Sequence, residues 1–236
     1  MNKLIPIGFT EDDLLTRVNI LAKRYHFVVN NEQLPRLNLT AERLELLMDG
    51  FSPLFVDFNG STLQRRREAG KQQDLIRACK PVPGLKIFDI TAGWGRDAAL
   101  LASFGADVLM LERQPIMAAL LDDALQRLAN EALSLRLLHV EATTYLHHLH
   151  AEDCPDVIYI DPMHPERQKS ALVKKDMQAL QRLFGPDDDA KTLIELALHH
   201  AKKRVVVKWP QRLPALVKPT QSFAGKTVRF DRYDIS

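Results

Sequence analysis

The chain has only two cysteines, Cys79 and Cys154, among its 236 residues. Two isolated thiols are too few for a disulfide framework, and their spacing is not that of a zinc site, so we expect both to be reduced structural residues. Histidines cluster at positions 147–150 and 199–200, but no acid or cysteine spacing completes a ligand set with them. The sequence therefore predicts no metal centre.

Long apolar runs are also absent from the sequence. The longest run is far shorter than the roughly 20 residues that cross a bilayer, and residues 1–6 do not form the apolar core of a signal peptide. The composition, 46% hydrophobic and 26% charged, is that of an ordinary folded globular protein. We therefore expect a cytoplasmic protein with one sizeable core and room for a small additional lobe.

The net charge of the chain is only +2, which is not the strong positive charge typical of a nucleic-acid-binding domain. The basic residues are nevertheless clustered, at 65–67, at 169–175 and at 202–204. Each cluster fits two interpretations. It either contacts phosphates or forms an ordinary solvated face.

From residue 85 onward, short apolar runs alternate with longer helical patterns, which predicts βαβ units and a parallel sheet. We therefore divide the chain into an N-terminal α+β lobe with a lead-in helix, residues 1–80, and a Rossmann-like domain, residues 81–236. The predicted strands of the second part are 86–89, 108–112, 135–140, 157–161 and 204–208, with 226–235 as an antiparallel edge strand. The predicted helices between them are 96–104, 115–129, 143–150, 170–184 and 190–201. In the first part we predict strands at 27–29, 37–39 and 54–58 and a helix at 72–79.

Two of the predicted strands end in an aspartate that is followed at once by a turn. Asp89 ends the first strand and precedes a turn containing Gly93 and Gly95, whereas Asp161 ends the fourth strand and precedes Pro162. Ligands of open parallel sheets bind outside the carboxyl ends of the strands. We therefore expect the two carboxylates to face one crevice, in an arrangement typical of group transfer.

The glycine turn allows two kinds of cofactor. Residues 93–98 match the dinucleotide pattern G-x-G-x-x-A, and Glu112 stands near the position of a ribose-binding acid. A pyrophosphate is anionic, however, and would be repelled by nearby carboxylates such as Asp89 and Asp97. S-adenosylmethionine carries a sulfonium, an ammonium and a ribose diol, which acids at strand ends can bind. We favour it, with Asp89 near the methionine part and Glu112 near the ribose; the alternatives are a nicotinamide-dependent oxidoreductase and acids that only cap turns.

The loop that begins at Asp161 has a composition suited to an exocyclic amine of a nucleobase. The Asp161 carboxylate and the Pro162 carbonyl can accept the two amine hydrogens and stabilise the positive charge that develops on nitrogen. His164 can stack on a base that has left its helix. The basic side chains that follow flank such a base and suit phosphate contacts; they are Lys169, Lys174 and Lys175. The other interpretation of the loop is a tight turn after a strand.

Three segments resemble the ribosomal small-subunit methyltransferase J family: residues 89–97, 161–177 and 203–208. The similarity in order and spacing extends from about residue 50 to the end of the chain. It implies a Rossmann-like class I S-adenosylmethionine-dependent methyltransferase sheet with a small N-terminal α+β lobe. It also implies methylation of a guanine N2 amine in 16S rRNA, within free rRNA or the small ribosomal subunit. The implied cofactor contacts are Arg96, Asp97, Glu112, Arg113, Glu141, Ala142 and Asp161.

The same sheet could also serve a non-catalytic RNA-binding module, which we keep as a third alternative. The family usually has phenylalanine at the position of His164. It commonly has small hydroxyl residues at the positions of Glu141 and Ala142.

Overall fold

A computed structural model describes residues 5–129, 133–162, 175–185 and 189–235. They form two β-sheets and the helices that cover them. The strands are β1 Pro6–Phe9, β2 Val28–Val29, β3 Arg36–Leu39, β4 Leu44–Leu47, β5 Lys86–Asp89, β6 Asp107–Glu112, β7 Leu135–His139, β8 Val157–Ile160, β9 Arg204–Pro210, β10 Gln221–Ala224 and β11 Val228–Asp234. The helices are α1 Leu15–Tyr25, α2 Ser61–Glu68, α3 Asp74–Cys79, α4 Arg96–Ser103, α5 Pro115–Gln126, α6 Ala142–His147, α7 Lys175–Phe184 and α8 Ala190–His200.

The larger sheet has seven strands in the order β10-β11-β9-β8-β5-β6-β7. Strands β7, β6, β5, β8 and β9 are parallel, because helices on either face return the chain to the same starting edge. The strand β11 is inserted antiparallel between β9 and β10. The carboxyl ends of the five parallel strands consequently share one edge, which is where ligands of such sheets bind.

The two faces of this sheet pack against different helices. Buried side chains of α4 and α5 form one cluster with alternate strand residues such as Ile87, Met110 and Tyr159. Buried side chains of α6 and α8 form a second cluster with the intervening residues. Successive side chains of a strand point to opposite faces. Four polar residues at the ends of these strands therefore fall on the face that carries α4; they are Asp89, Glu112 and Lys208 within strands and Asp161 directly after β8.

The smaller sheet has four strands in the order β2-β1-β3-β4, all between residues 6 and 47. Its buried leucines belong to the same hydrophobic cluster as α4 and α5, so the two parts of the chain share a core. The side chain of Phe58, 4% exposed, lies in that cluster as well. Our division of the chain at residue 80 stays a prediction.

The structure corrects two of the predicted elements. Strand β11 is not an edge strand, because β10 pairs with its outer side. Strand β10 is short and mostly exposed, so it gave no clear signal in the sequence. Residues 54–58 form no strand and contribute a single bridge from Leu54 to Leu46, since hydrogen bonding does not continue beyond it. The helix predicted at 170–184 is described only from Lys175. Strands β1 and β4 and helices α1 and α2 were not predicted.

The other predicted elements of residues 81–236 are present, with ends that coincide or differ by no more than three residues. No helix within the described ranges is long and apolar enough to cross a membrane.

Candidate active site

The residues at the ends of β5 and β8 are hydrogen-bonded to each other. These strands are hydrogen-bonded neighbours, with Asp89 paired with Tyr159. The Asp161 backbone amide donates a hydrogen bond to Thr91 Oγ1 at 2.6 Å. The glycine turn and the Asp161 loop therefore begin side by side at the carboxyl edge of the sheet, as the sequence predicted.

The two glycines of the turn have different surroundings. Gly95, with φ of +67°, would place a Cβ 2.7 Å from Leu121 Cδ2 and 2.9 Å from Phe58 Cζ, so its missing side chain is required for packing within the protein. Gly93, with φ of +51°, would place a Cβ no closer than 3.8 Å to Thr91 O. The open side of the turn is therefore at Gly93, and it leaves room for a ligand to approach the backbone.

Asp89 lies at the end of β5 and is only 2% exposed. Its Oδ1 accepts a hydrogen bond from the Thr91 amide at 3.2 Å, which holds the start of the turn. Burial raises the pKa of this carboxyl well above its usual range, and the nearby charge of Asp97 raises it further. A cationic ligand group beside Asp89 would favour its ionised form.

Glu112 ends β6 and reaches back to the glycine turn. Its Oε2 accepts a hydrogen bond from the Gly93 amide at 2.8 Å, and its Oε1 accepts one from the Gln114 amide at 2.7 Å. The carboxylate is therefore oriented by two backbone donors before any ligand binds. A carboxylate accepts about four hydrogen bonds, so these two do not exhaust its capacity for ribose hydroxyls.

A polar network crosses the edge between α4 and β9. Its centre is Lys208, whose Nζ lies 2.6 Å from Asp161 Oδ2 and 3.2 Å from Asp97 Oδ2. The pairing of β8 with β9 explains this contact, since Ile160 is opposite Val207 and the next residues are neighbours. The Tyr159 hydroxyl also donates to Asp97 Oδ2, at 2.8 Å.

The N-terminal part of the chain supplies a second cation to this network. Arg66, on α2, donates to Asp97 Oδ1 at 2.6 Å and to the carbonyl of Arg96 at 3.1 Å. Burial opposes ionisation of Asp97, but Lys208 and Arg66 outweigh it and hold the pKa of this carboxyl below its usual range. Burial likewise disfavours the Lys208 ammonium, but Asp161 and Asp97 hold its pKa above the usual range.

The third group of predicted cofactor residues follows β6 and β7. Arg113 Nη1 lies 3.0 Å from Asp189 Oδ2, at the start of α8, and 3.7 Å from Glu141 Oε2. Glu141 precedes the first residue of α6, Ala142, which is buried. The Val140 amide donates to the Glu112 carbonyl at 3.0 Å, which aligns the ends of β6 and β7. These residues therefore lie beside Glu112 at the same edge.

Not every predicted site residue can be placed. His164, Lys169 and Lys174 lie outside the described residues, and Lys175 is described only as the first residue of α7. Pro162 is buried directly after Asp161. Arg96 begins α4, and its guanidinium carbon lies 5.7 Å from the centre of the Trp94 ring.

Reasoning from the sequence did not assign a role at the site to four residues. The hydroxyls of Thr91 and Tyr159 and the cations of Arg66 and Lys208 became part of it only through tertiary contacts. One signal was available: Lys208 is a charged residue directly after three buried valines. Arg66 was noticed only as one member of a basic cluster.

No group of three or more potential metal ligands occurs among the residues that the structure describes. The site consists of acids at parallel strand ends, a glycine turn with an open side at Gly93 and an aspartate beside that turn. A carboxylate-rich edge suits a cofactor that carries a sulfonium and an ammonium better than one that carries a pyrophosphate. Fold and site together define a class I S-adenosylmethionine-dependent methyltransferase.

Comparison with known proteins agrees with this class and narrows it. Residues 20–235 match the family described as "Putative SAM-dependent methyltransferase". A ribosomal RNA small subunit methyltransferase J from Legionella pneumophila (strain Lens) is 54% identical over 237 residues, which cover 99% of this chain and 97% of the relative. The protein of the same name from Serratia proteamaculans is 42% identical, with 92% of each chain covered. The chain belongs to the ribosomal RNA small subunit methyltransferase J family.

A solved structure supports the fold assignment independently. The crystal structure of a SAM-dependent methyltransferase from Neisseria gonorrhoeae superposes with a TM-score of 0.74 at 29% identity, covering 97% of this chain and 95% of the other. The prediction of a methyltransferase is therefore confirmed. Family membership decides against the nicotinamide-dependent oxidoreductase and the non-catalytic module.

Proposed function

We propose that this enzyme transfers the methyl group of S-adenosylmethionine to the exocyclic N2 amine of a guanine in 16S rRNA. Relatives that are 54% and 42% identical are named for the RNA of the small ribosomal subunit, which supports the substrate class. The position of Asp161 is the observation that supports an amine as the group that receives the methyl. Its amide lies 2.6 Å from Thr91 Oγ1, so an acceptor carboxylate stands beside the glycine turn.

The cofactor, when bound, supplies an electrophilic methyl group on a sulfonium. Its binding groups in this chain are the open side of the turn at Gly93, the Asp89 carboxylate for the methionine part and the Glu112 carboxylate for the ribose. The pair of Glu141 and Ala142, with Arg113 beside them, would border the adenine. Gly95 and the Arg96–Asp97 start of α4 would complete the cofactor contacts, and they also hold the shape of the turn, through the packing of Phe58 and the ion pairs of Asp97.

Asp161 and Pro162 act on the acceptor. The guanine amine is a poor nucleophile because its lone pair is delocalised into the ring, so orientation is the main contribution required of the protein. The Asp161 carboxylate and the Pro162 carbonyl accept the two amine hydrogens and aim the nitrogen at the methyl group. The nitrogen–methyl bond would form as the sulfur–methyl bond of the cofactor breaks, which leaves S-adenosylhomocysteine; the nitrogen becomes positive, and the carboxylate stabilises this charge. The amine proton then passes to Asp161 or to water.

Lys208 orients the Asp161 carboxylate. Its ammonium, 2.6 Å from Asp161 Oδ2, fixes the rotation of the carboxylate and links it to Asp97 at the start of α4. Lys208 is therefore a positioning residue in this proposal. His164 would stack on the flipped base, and Lys169, Lys174 and Lys175 would contact phosphates on either side of it.

The partner in this proposal is 16S rRNA, free or within the small subunit, and the location is the cytoplasm, where ribosomes assemble. The test is nucleoside mass spectrometry of 16S rRNA from cells with and without the gene. We expect loss of one N2-methylguanosine and its restoration when the purified protein and S-adenosylmethionine are added to the undermethylated RNA or subunit. An unchanged set of methylated guanosines in both cell types would refute the proposal.

A further inference from the structure

Helix α2 carries three consecutive arginines, Arg65, Arg66 and Arg67, and they do not share one environment. Arg65 and Arg67 are exposed, and Arg65 Nη2 lies 3.4 Å from Thr62 Oγ1 of the same helix. The side chain of Arg66 is only 32% exposed and reaches Asp97 at the start of α4. The middle arginine therefore fits neither interpretation of this cluster, as a phosphate contact or as a solvated face.

The guanidinium of Arg66 holds two neighbouring groups at the start of α4. Its Nη2 donates to Asp97 Oδ1 at 2.6 Å, and its Nη1 donates to the Arg96 carbonyl at 3.1 Å. A guanidinium is planar and has its donors in a fixed geometry, so these two bonds define the position of the Asp97 carboxylate. That carboxylate is thus oriented from the N-terminal part of the chain, by a residue 31 positions away.

The helix that carries Arg66 is itself held in place. Leu63, about one turn earlier on α2, packs against the hydrophobic cluster that contains α4 and α5. Gln73 Nε2 donates to the carbonyl of Arg66 at 2.6 Å and to that of Gly70 at 3.0 Å, which fixes the end of α2. Arg66 therefore reaches Asp97 from a backbone that is anchored on both sides of it.

The two oxygens of the Asp97 carboxylate have different partners. Its Oδ1 accepts from Arg66, whereas its Oδ2 accepts from the Tyr159 hydroxyl at 2.8 Å and lies 3.2 Å from Lys208 Nζ. The same ammonium is closer to Asp161 Oδ2, at 2.6 Å. Lys208 is thus shared between two carboxylates, and one of them has Arg66 as a second compensating cation. This division of charge allows Lys208 to remain close to Asp161.

We propose that Arg66 is a positioning residue for methyl transfer, which keeps the Lys208 ammonium on the Asp161 carboxylate. It does so by compensating the charge of Asp97. When Arg66 is removed, the uncompensated charge of Asp97 attracts the Lys208 ammonium more strongly, and Asp161 loses part of its orientation. This inference rests on the proposed function, in which Asp161 holds the guanine amine. It adds a residue of the N-terminal part of the chain to the groups that position the acceptor.

The test is a double-mutant cycle of Arg66→Met and Lys208→Met in the full-length enzyme. The quantity measured is the single-turnover rate of methyl transfer to undermethylated 16S rRNA or subunits, with RNA and S-adenosylmethionine both saturating. We expect Arg66→Met to lower this rate about 10-fold and Lys208→Met about 100-fold. The double variant should lose about 100-fold rather than about 1,000-fold, because Arg66 acts through Lys208 and has no effect once that ammonium is gone.

Arg67→Met is the matched control, because Arg67 is an exposed arginine next to Arg66 on the same helix. Its rate at saturating RNA should stay within about twofold of the wild-type rate. Arg66→Lys keeps a cation beside Asp97 and should recover most of the loss. The Kd for S-adenosylmethionine should change less than about fivefold in every variant. Circular dichroism and thermal melting check that each variant folds.

Four outcomes would overturn the inference. In the first, Arg66→Met loses no more activity than Arg67→Met, so the residue has no part in methyl transfer. In the second, the two losses multiply in the double variant, which would show that Arg66 acts independently of Lys208. In the third, the affinity for S-adenosylmethionine falls as much as the rate in Arg66→Met, which would assign Arg66 to cofactor binding. In these three cases the wild type still methylates RNA, and the proposed function stands. In the fourth, the wild type methylates no RNA at all, and the proposed function fails together with the inference.

Discussion

The Lys208 ammonium lies 2.6 Å from Asp161 Oδ2 and reaches across to Asp97 Oδ2 at 3.2 Å, so one cation joins the acceptor carboxylate to the helix that follows the glycine turn. Asp161 thus has a fixed orientation and a compensated charge before substrate binds. The arrangement explains how a carboxylate in a half-buried setting can stay available to accept hydrogen bonds from an amine.

Replacing Lys208 should therefore impair chemistry more than cofactor binding. We expect Lys208→Met to lower kcat about 100-fold, because a misplaced acceptor loses orientation, and to change the Kd for S-adenosylmethionine less than about fivefold. Lys208→Arg, which keeps the charge, should recover part of the loss. Single-turnover kinetics and calorimetry measure the two quantities. Equal losses in Lys208→Met and Lys208→Arg would contradict an electrostatic positioning role.

The stability of the protein at low pH should depend on Asp97. Its folded-state pKa is held below the usual value by Lys208 and Arg66, despite burial. A depressed folded pKa stabilises the protein above the unfolded pKa of about 3.9, and this stabilisation is lost as the pH falls through the folded value. Asp97→Asn should therefore lower Tm at pH 7, and its difference from the wild type should shrink below about pH 4. A Tm difference that stays constant between pH 7 and pH 3 would show that the charge of Asp97 is not the cause.

The two glycines of the turn should respond differently to alanine. Gly95→Ala introduces a Cβ within 3 Å of Leu121 and Phe58 at positive φ, and we expect a loss of stability of about 2–4 kcal/mol. Gly93→Ala meets no close neighbour and should cost only about 1 kcal/mol of backbone strain. It should nevertheless weaken S-adenosylmethionine binding at least 10-fold, because the new methyl group fills the open side of the turn. Denaturant unfolding and calorimetry separate the two effects, and normal cofactor affinity in Gly93→Ala would reject Gly93 as the ligand side.

Replacing Asp89 should change stability and cofactor affinity in opposite directions. Burial and the charge of Asp97 raise the pKa of this carboxyl, and a raised folded pKa gives stability below the unfolded pKa that is lost as the pH rises. The carboxyl therefore destabilises the folded protein at pH 7 compared with a neutral side chain, and Asp89→Asn should raise Tm by about 2–4 °C, or roughly 1 kcal/mol. The same change should weaken S-adenosylmethionine binding if Asp89 holds the methionine ammonium. A variant with lower Tm and unchanged affinity would assign Asp89 to the turn alone.

The sequence predicted the parallel strands well because each is a short, mainly apolar run, and three of the five lead directly to an acid: Asp89, Glu112 and Asp161. The run at 157–160 and the valines at 205–207 are buried as expected. The N-terminal part was harder, since strands as short as β2, with two residues, carry little periodicity. The edge strand β10 was missed for the same reason, which made β11 look like the edge.

Only the part of the candidate site that lies at strand ends could be predicted from the sequence. Asp89, Glu112 and Asp161 could be placed at one edge, because parallel strands end there. The contacts of Arg66 and Lys208 with Asp97 join residues 31 and 111 positions apart. No local pattern in the chain specifies such pairs, which follow from the docking of α2 and from strand register.

The role of Asp161 in holding the guanine amine is tested most directly by comparing Asp161→Ala with the wild type in two measurements on the same preparation. One is the Kd for S-adenosylmethionine by calorimetry, and the other is the single-turnover rate of methyl transfer to undermethylated 16S rRNA or subunits. If Asp161 holds the guanine amine, Kd should change less than about fivefold while the rate falls by about 10³-fold or more. Unimpaired methyl transfer in Asp161→Ala would contradict the account.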